Sequence, residues 1–373
     1  MLNLIPTPRG SVHMQEGSVK LPETVTVSLG DFAPWCLEAF AARLNGHVET
    51  AENGFITLKK ADIAKEGYKL TVTKDGITVE AADESGAVWA LTTVTELTAE
   101  GEALPIVTIE DAPHYGHRGL SLDCSRHFFT ADEVKKVIDQ MTRVKLNVLH
   151  WHLVDDQGWR IECKTLPLLH ETTGTYYTQE EIRSVIEYAR VRGMEIIPEI
   201  DMPGHASAAS KAYPEFSGGG SPKYPGYTFN PGKDSVYTYL TDILKEVDAL
   251  FPSQVIHLGG DEVHYGNQDW NTNKDIQDLM KHEKMKNLKD VENYFFQRMA
   301  DSLLLIHNKV AAWDEVADSQ LSPEHTIVFF WRQNRPEQLQ KSLDRKFNIV
   351  LCPRLPMYLD YAPRQARRHI PMT

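Results

Sequence analysis

From His117 onward, short apolar segments alternate with amphipathic helices, and this alternation restricts the possible folds more than any other feature of the chain. The pattern is typical of βα units that build a parallel sheet. Two predicted helices begin at a capping box, in which a threonine precedes a glutamate by three residues, namely Thr130 with Glu133 and Thr178 with Glu181. Seven apolar segments are predicted strands: residues 120–123, 146–154, 194–200, 255–260, 310–313, 326–331 and 349–352.

Polar side chains follow nearly every predicted strand. They are Asp123 and Arg126, Asp155 and Asp156, Glu199 with Asp201 and His205, Asp261 and Glu262, Asp314 and Glu315, Arg332, and Asp360. In a barrel of parallel strands, all carboxyl ends lie on one face, where active sites are built. We therefore expect an α/β fold of the (β/α)₈ TIM-type barrel kind, with an acidic active-site mouth.

The adjacent carboxylates Asp261 and Glu262 are the most informative pair. They directly follow Gly259 and Gly260, which allow a sharp turn at the end of a strand. Neighbours in sequence are poorly placed to flank a sugar as the two separated carboxylates of an ordinary glycosidase do. They are better suited to one acid at a leaving oxygen and one carboxylate beside it. A solvated acidic loop, or part of a magnesium site, is the alternative interpretation.

Aromatic residues near the same strand ends favour a carbohydrate ligand. Trp151, Trp159, Trp313, Trp331 and Tyr358 lie in or just after predicted strands, and most stand beside charged residues. Indole rings stack on the apolar face of a sugar, while carboxylates and arginines bind its hydroxyls.

Several other functions lack their usual sequence signals. Histidines lie near the strand ends, but there is no HExxH helix and no compact group of three ligands, so we predict no metal and no cofactor. A net charge of −13 argues against a nucleic-acid partner. No apolar run approaches the roughly 18–20 residues needed to span a membrane. The four cysteines are far apart and are predicted to be free, buried thiols.

Six segments together resemble the β-N-acetylhexosaminidases of glycoside hydrolase family 20. They are Arg118-Gly119-Leu120 with Asp123 and Arg126-His127-Phe128, His150-Trp151-His152-Leu153-Val154-Asp155-Asp156-Gln157-Gly158-Trp159, Pro198-Glu199-Ile200-Asp201-Met202-Pro203-Gly204-His205, Gly259-Gly260-Asp261-Glu262-Val263, Trp313-Asp314-Glu315, and Tyr358-Leu359-Asp360. Their order is that of the family. The resemblance implies an exo-acting, retaining hydrolase that releases terminal N-acetylglucosamine or N-acetylgalactosamine by substrate-assisted catalysis, through an oxazolinium intermediate.

The resemblance also implies a role for individual residues. Glu262 would be the general acid and then the base, with a pKa raised by burial and by Asp261, which would orient the acetamido N–H and stabilise its positive charge. The other implied roles are a hydrogen bond from Tyr358 to the acetamido oxygen, sugar hydroxyl contacts from Arg118 and Asp360, pocket walls from Trp313 and Trp331, and support of Glu262 by His205 with Asp155 or Asp156.

Residues 1–114 are predicted to form a small, non-catalytic α+β domain similar to the one that precedes the barrel in that family, and residues 115–373 the barrel. In the family an eighth strand carries a further Trp and Glu. The last segment, residues 364–373, is basic and shows no such strand, so we expect a barrel that lacks its eighth strand in this chain.

The alternatives are a hexosaminidase that acts on sulfated sugars or releases disaccharides, and a non-catalytic N-acetylhexosamine-binding protein. The family suggests an exported protein, although the N-terminus shows no export signal, and a homo-oligomer stays open.

Overall fold

The computed structural model describes residues 2–98 and 103–360. Its strands, in chain order, are β1 (Val12–Val19), β2 (Val25–Ser28), β3 (Val48–Thr50), β4 (Ile56–Lys60), β5 (Tyr68–Val72), β6 (Ile77–Ala81), β7 (Leu104–Asp111), β8 (Gly119–Asp123), β9 (Val148–Asp155), β10 (Gly158–Trp159), β11 (Glu195–Ile200), β12 (Ser217–Gly219), β13 (Thr228–Phe229), β14 (Val255–His257), β15 (Lys309–Trp313), β16 (Thr326–Phe330) and β17 (Asn348–Leu351). Its α-helices are α1 (Glu38–Arg43), α2 (Glu84–Leu97), α3 (Ala131–Arg143), α4 (Leu168–Thr173), α5 (Gln179–Arg190), α6 (Ser207–Ala212), α7 (Asp234–Asp248), α8 (Lys274–His282), α9 (Leu288–Leu305), α10 (Pro336–Asp344) and α11 (Arg354–Met357). Short 3₁₀ helices cover Pro34–Leu37, Pro214–Phe216, Val263–Tyr265, Gln268–Asn271 and Asp314–Asp318.

The chain divides into two compact units. The first comprises residues 1–122, 129–151 and 177–196, and the second comprises residues 123–128, 152–176 and 197–373.

The first unit contains a sheet with the strand order β1-β7-β5-β6-β4-β2-β3. Strands β5 and β6 pair antiparallel around Asp75-Gly76, a dipeptide typical of hairpin turns. Alternate side chains of β5 are buried, as expected for a strand with one face on the core. Helix α2 adds Trp89 and Leu91 to that core.

Both predicted capping boxes are present. The Thr130 hydroxyl accepts from the backbone N–H of Glu133, and the Glu133 carboxylate accepts from the backbone N–H of Thr130. Thr178 and Glu181 make the same reciprocal pair. Helices α3 and α5 therefore begin where the sequence predicts.

A second sheet has the order β10-β9-β11-β14-β15-β16-β17, with β8 paired to β9. Its seven parallel strands curl into a half-barrel, which confirms the predicted TIM-type fold. Strands β14 to β17 pair in parallel in an unbroken register, so their carboxyl ends meet at one edge. Strand β10 turns back antiparallel on the end of β9. The segment 364–373, on which the expectation of a missing strand rests, lies outside the described residues.

Two minor predictions are also answered. All four cysteines are free, and three of them, Cys36, Cys124 and Cys163, are buried, whereas Cys352 is half-buried. Among the described residues, no helix is both long and apolar enough to cross a bilayer.

Candidate active site

The acidic pair lies in a sharp turn after β14. The predicted strand over 255–260 ends early because Gly259 and Gly260 have φ of +67° and +96°, which no strand accommodates. A Cβ on Gly259 would lie 1.8 Å from Oδ1 of Asp201, so the backbone passes that carboxylate more closely than any side chain would allow. Glu262 also has a positive φ, of +55°. This turn is what lets Asp261 and Glu262 face the same neighbour.

That neighbour is His205. Its Nε2 lies 3.5 Å from Oδ2 of Asp261 and 3.6 Å from Oε2 of Glu262. The same nitrogen is 2.9 Å from the Tyr227 hydroxyl, and Nδ1 is hydrogen-bonded at 3.0 Å to Oδ1 of Asp155. The structure therefore brings together four predicted site residues, Asp155, His205, Asp261 and Glu262.

His205 and the carboxylates around it carry opposite charges. Burial by itself would lower the pKa of His205, but the facing carboxylates of Asp261 and Asp201 outweigh burial and hold that pKa well above its usual range. Burial would raise the pKa of Asp155, yet hydrogen bonds from His152 and His205 hold it well below its usual range. His205 is thus a cation that lies between an ionised Asp155 and the acidic pair.

The carboxyl pKa values of Asp261 and Asp201 are both raised. Burial raises the pKa of Asp261 against the opposing charge of His205, and the charges of Glu199 and Glu262 raise it further. Burial and then Asp261 raise the pKa of Asp201. Within the described residues, the buried Oδ1 of Asp261 has no hydrogen-bond partner. An acceptor in that state is available to an N–H of a bound molecule.

Glu262 is less buried than the sequence suggested. Its side chain is 31% exposed, against 18% for Asp261. A carboxyl in this position can contact both a bound glycoside and water.

Two arginines, Arg118 and Arg126, are held by different partners. The guanidinium of Arg118 is held inside the first unit, where it contacts Glu66 at 2.7 Å and the backbone carbonyls of Lys145 and Tyr115. These partners engage the Arg118 guanidinium in packing, which argues against the sugar contact expected of it. Arg126 contacts Asp155 at 2.6 Å and remains 42% exposed on its side chain.

Both predicted tryptophans hydrogen-bond to carboxylates at the strand ends. Trp313 ends β15 and donates its indole N–H to Oε1 of Glu199 at 2.8 Å. Trp331 follows β16 and donates to Oε2 of Glu315 at 3.1 Å. Both rings pack on the apolar cluster around Phe329. These hydrogen bonds fix the orientation of both rings.

Tyr358 and Asp360 follow β17. Burial raises the pKa of the Tyr358 phenol well above its usual range, and the negative charges of Asp261 and Glu199 raise it further. The Tyr358 phenol therefore stays protonated, and it is close enough to Asp261 for that charge to affect its pKa. Asp360 is exposed.

The sequence did not single out the buried support of the site. His152 hydrogen-bonds to Glu199 at 2.7 Å and to Asp155 at 3.0 Å, and it ties the ends of β9 and β11 together. Tyr227 comes from the segment just before β13 and has no local signal. For His152, the available signal was its position in β9, three residues before Asp155.

Some ligand atoms of this cluster are close enough to hold a cation. One such group is His152, Asp155 and Asp201, and another is Asp201, His205 and Asp261, with ligand atoms within 4.8 Å of one another. Hydrogen bonds among the same side chains account for part of that proximity. The expectation of no metal stays a prediction.

Comparisons with known proteins cover nearly the whole chain. The family model "Glycosyl hydrolase family 20, catalytic domain" matches residues 115–372, and "Glycosyl hydrolase family 20, domain 2" matches residues 1–112. A beta-hexosaminidase of Vibrio furnissii is 33% identical over 98% of this chain and 66% of its own length. The chain spans between 38% and 66% of the lengths of three curated beta-hexosaminidase relatives.

Solved structures give the same result. The crystal structure of a beta-N-acetylhexosaminidase from Bacteroides fragilis aligns with a TM-score of 0.89 at 31% identity, over 96% of this chain and 77% of that one. An exo beta-N-acetylglucosaminidase from Vibrio harveyi, solved in complex with N-acetylglucosamine, aligns with a TM-score of 0.86 at 31% identity, over 94% of this chain and 60% of that one.

Proposed function

The chain belongs to glycosyl hydrolase family 20, and from this premise we propose that it is an exo-acting, retaining β-N-acetylhexosaminidase. Its substrate would be a glycan with a terminal, non-reducing N-acetylglucosamine or N-acetylgalactosamine. The observation that carries the proposal is the convergence of Asp261 and Glu262 on a single cationic His205.

Glu262 supplies the acid and then the base. In the first step the Glu262 carboxyl gives its proton to the glycosidic oxygen, the bond from the anomeric carbon to that oxygen breaks, and the substrate's own acetamido oxygen bonds to that carbon. In the second step a water loses a proton to Glu262 and attacks the anomeric carbon. The bond from the acetamido oxygen to that carbon breaks, so the oxazolinium ring opens and the amide is restored. Two inversions give net retention. His205 supports this cycle because its charge lies 3.6 Å from the Glu262 carboxylate.

Asp261 makes the acetamido group a nucleophile. Its buried Oδ1, which has no hydrogen-bond partner in the described part of the chain, can accept the acetamido N–H and hold the oxygen towards the anomeric carbon. As the amide gains positive charge in the ring-closed intermediate, an ionised Asp261 stabilises it. The environment that raises the pKa of Asp261 is the environment in which a new positive charge is most strongly stabilised.

The remaining pocket residues bind and orient the sugar. The protonated Tyr358 phenol donates to the acetamido oxygen, and Trp313 and Trp331 form apolar walls for the ring. Arg126 takes the hydroxyl contact that the sequence resemblance gave to Arg118, together with Asp360. Asp155 acts through His205 by fixing its orientation. We place catalysis in residues 115–373 and a non-catalytic role in residues 1–114.

The test is the pair of variants Glu262→Gln and Glu324→Gln, assayed on an aryl N-acetyl-β-glucosaminide. Both remove one carboxylate, and Glu324 is exposed in the loop before β16. We expect Glu262→Gln to lower kcat by about 100- to 10,000-fold, the usual contribution of general acid–base catalysis, and Glu324→Gln to leave it within about twofold. An unchanged kcat in Glu262→Gln would refute the assignment.

A further inference from the structure

Tyr227 is buried beside His205 and takes no part in the catalytic steps proposed above. The residue is 1% exposed, and its ring centroid lies 5.0 Å from that of His205. Its backbone carbonyl accepts from the N–H of Ala206 at 2.9 Å, which ties Tyr227 to the residue that follows His205. Gly266 packs on the same ring so closely that a Cβ there would overlap it. The phenol hydroxyl is therefore held in one place next to the histidine.

The His205 imidazolium has two N–H groups to donate, one on each ring nitrogen. Nδ1 faces Oδ1 of Asp155 at 3.0 Å and Oδ2 of Asp156 at 3.5 Å. Nε2 faces three oxygen atoms, which are the Tyr227 hydroxyl at 2.9 Å, Oδ2 of Asp261 at 3.5 Å and Oε2 of Glu262 at 3.6 Å. An N–H···O hydrogen bond spans about 2.7–3.2 Å, so of these three the tyrosine oxygen is the one within range. The Nε2 proton is therefore donated to Tyr227 and not to either carboxylate.

The proton of the Tyr227 hydroxyl is directed to the backbone. This hydroxyl donates to the backbone carbonyl of Glu262 at 3.4 Å, so it links His205 to the main chain of Glu262 and not to its carboxylate. Burial raises the pKa of the Tyr227 phenol well above its usual range, against the opposing charge of His205. The phenol therefore stays neutral, and its oxygen serves as an acceptor for the histidine.

We propose that Tyr227 is a positioning residue that occupies the Nε2 proton of His205, so that Glu262 lies next to the positive charge of His205 without accepting that proton. The inference rests on the proposed function, in which Glu262 must carry a proton to the glycosidic oxygen. A carboxylate that accepts an N–H from a cation takes up its own proton less readily. The phenol oxygen thus keeps Glu262 able to act as an acid.

Loss of the phenol oxygen would leave the Nε2 proton to the two carboxylates. Glu262 has the longer side chain, and at 31% exposed it is less enclosed than Asp261 at 18%. Glu262 can therefore move the short distance to His205 more readily than Asp261. Once it accepts the Nε2 proton, fewer molecules hold the protonated Glu262 carboxyl that the first catalytic step needs.

The experiment compares Tyr227→Phe, Tyr237→Phe and the unaltered chain on two substrates, methyl N-acetyl-β-glucosaminide and 2,4-dinitrophenyl N-acetyl-β-glucosaminide. The methyl glycoside needs a proton on its leaving oxygen, whereas dinitrophenolate is a stable anion that departs without one. Tyr237→Phe is the matched control, because Tyr237 is also buried and donates its hydroxyl to a backbone carbonyl, that of Pro231 at 2.8 Å. Values of kcat/KM are taken per folded molecule, and they report the first catalytic step.

At pH 7 we expect Tyr227→Phe to lower kcat/KM for the methyl glycoside by about 3- to 10-fold, and to change that for the dinitrophenyl glycoside by less than about twofold. A roughly tenfold smaller protonated fraction of Glu262 is partly offset because the acid that remains is stronger. Tyr237→Phe should keep both values within about twofold.

The inference is overturned if Tyr227→Phe changes neither value, or lowers that of the dinitrophenyl glycoside as much as that of the methyl glycoside or more, as general damage to the site would. It is also overturned if Tyr237→Phe shows the same selective loss. Failure of the unaltered chain to cleave the methyl glycoside would instead overturn the proposed function, in which Glu262 protonates the leaving oxygen.

Discussion

Replacing Gly259 by alanine should both destabilise the protein and disable the site. Two costs combine. A left-handed φ of +67° costs an L-residue about 1–2 kcal/mol. The new Cβ would also lie 1.8 Å from Oδ1 of Asp201, which is buried and cannot swing into solvent. Overpacking of this kind costs about 1–3 kcal/mol more. The sum is a loss of about 2–5 kcal/mol in the free energy of unfolding.

Gly174 provides a control for the first cost alone. Its φ is +77°, and a Cβ there would meet no atom of the described residues within 4 Å. Gly174→Ala should therefore lose only about 1–2 kcal/mol. Equilibrium urea unfolding followed by circular dichroism measures the stability loss of each variant. With an m-value of about 3 kcal/mol/M, the Gly259→Ala midpoint should fall by about 0.7–1.7 M relative to the unaltered chain.

Activity separates the two variants further. Because a shift of about 1 Å in an active site can cost about 100-fold in rate, Gly259→Ala should lose at least that much of kcat/KM, while Gly174→Ala keeps it. Equal midpoints for the two variants, or full activity in Gly259→Ala, would refute the reasoning that the close approach of Asp201 requires a glycine.

The two remaining predictions concern the separate roles of Arg118 and Arg126, and the buried carboxyl of Asp201. Arg118→Met should lower the free energy of unfolding by about 3 kcal/mol, because it leaves the buried Glu66 without its charged partner, and it should keep kcat/KM per folded molecule. Arg126→Met should instead lower kcat/KM by at least about 30-fold, and a stability loss in Arg126→Met with an activity loss in Arg118→Met would contradict these roles. Burial and Asp261 raise the pKa of Asp201 above its ordinary value of 3.8, so the unaltered protein should lose stability as pH rises from about 4 through that raised pKa. Asp201→Asn should lose less stability over the same range, because only the other acids with a raised pKa, such as Asp261, still contribute; parallel urea midpoints for the two proteins at pH 4, 6 and 8 would count against this prediction.

Local signals predicted much of the fold. The capping boxes at Thr130 and Thr178 placed α3 and α5, and apolar runs bounded by polar residues placed all seven parallel strands. Strand β1 (Val12–Val19) was missed because nearly all its side chains are exposed, so the segment has no apolar alternation to detect. Helix α1 is preceded by a 3₁₀ turn that begins at Pro34, and the α-helical part starts only at Glu38.

The sequence predicted those site residues that follow the carboxyl ends of the parallel strands. Parallel strands bring their tips together, which is how Asp155 and Asp261 come to share His205. The roles of Arg118 and Arg126 depend on partners that no local pattern reveals. Glu66, which holds Arg118, is 52 residues earlier in the chain.

The most direct test of substrate assistance is the ratio of kcat/KM for two 4-nitrophenyl glycosides that differ only at carbon 2, the N-acetyl-β-glucosaminide and the plain β-glucoside. Without the acetamido group the reaction loses its intramolecular nucleophile, and Asp261 loses the N–H it would accept. We predict a ratio on the order of 1,000 or more in favour of the N-acetyl substrate. Hydrolysis of both glycosides at rates within about tenfold would contradict the proposed mechanism.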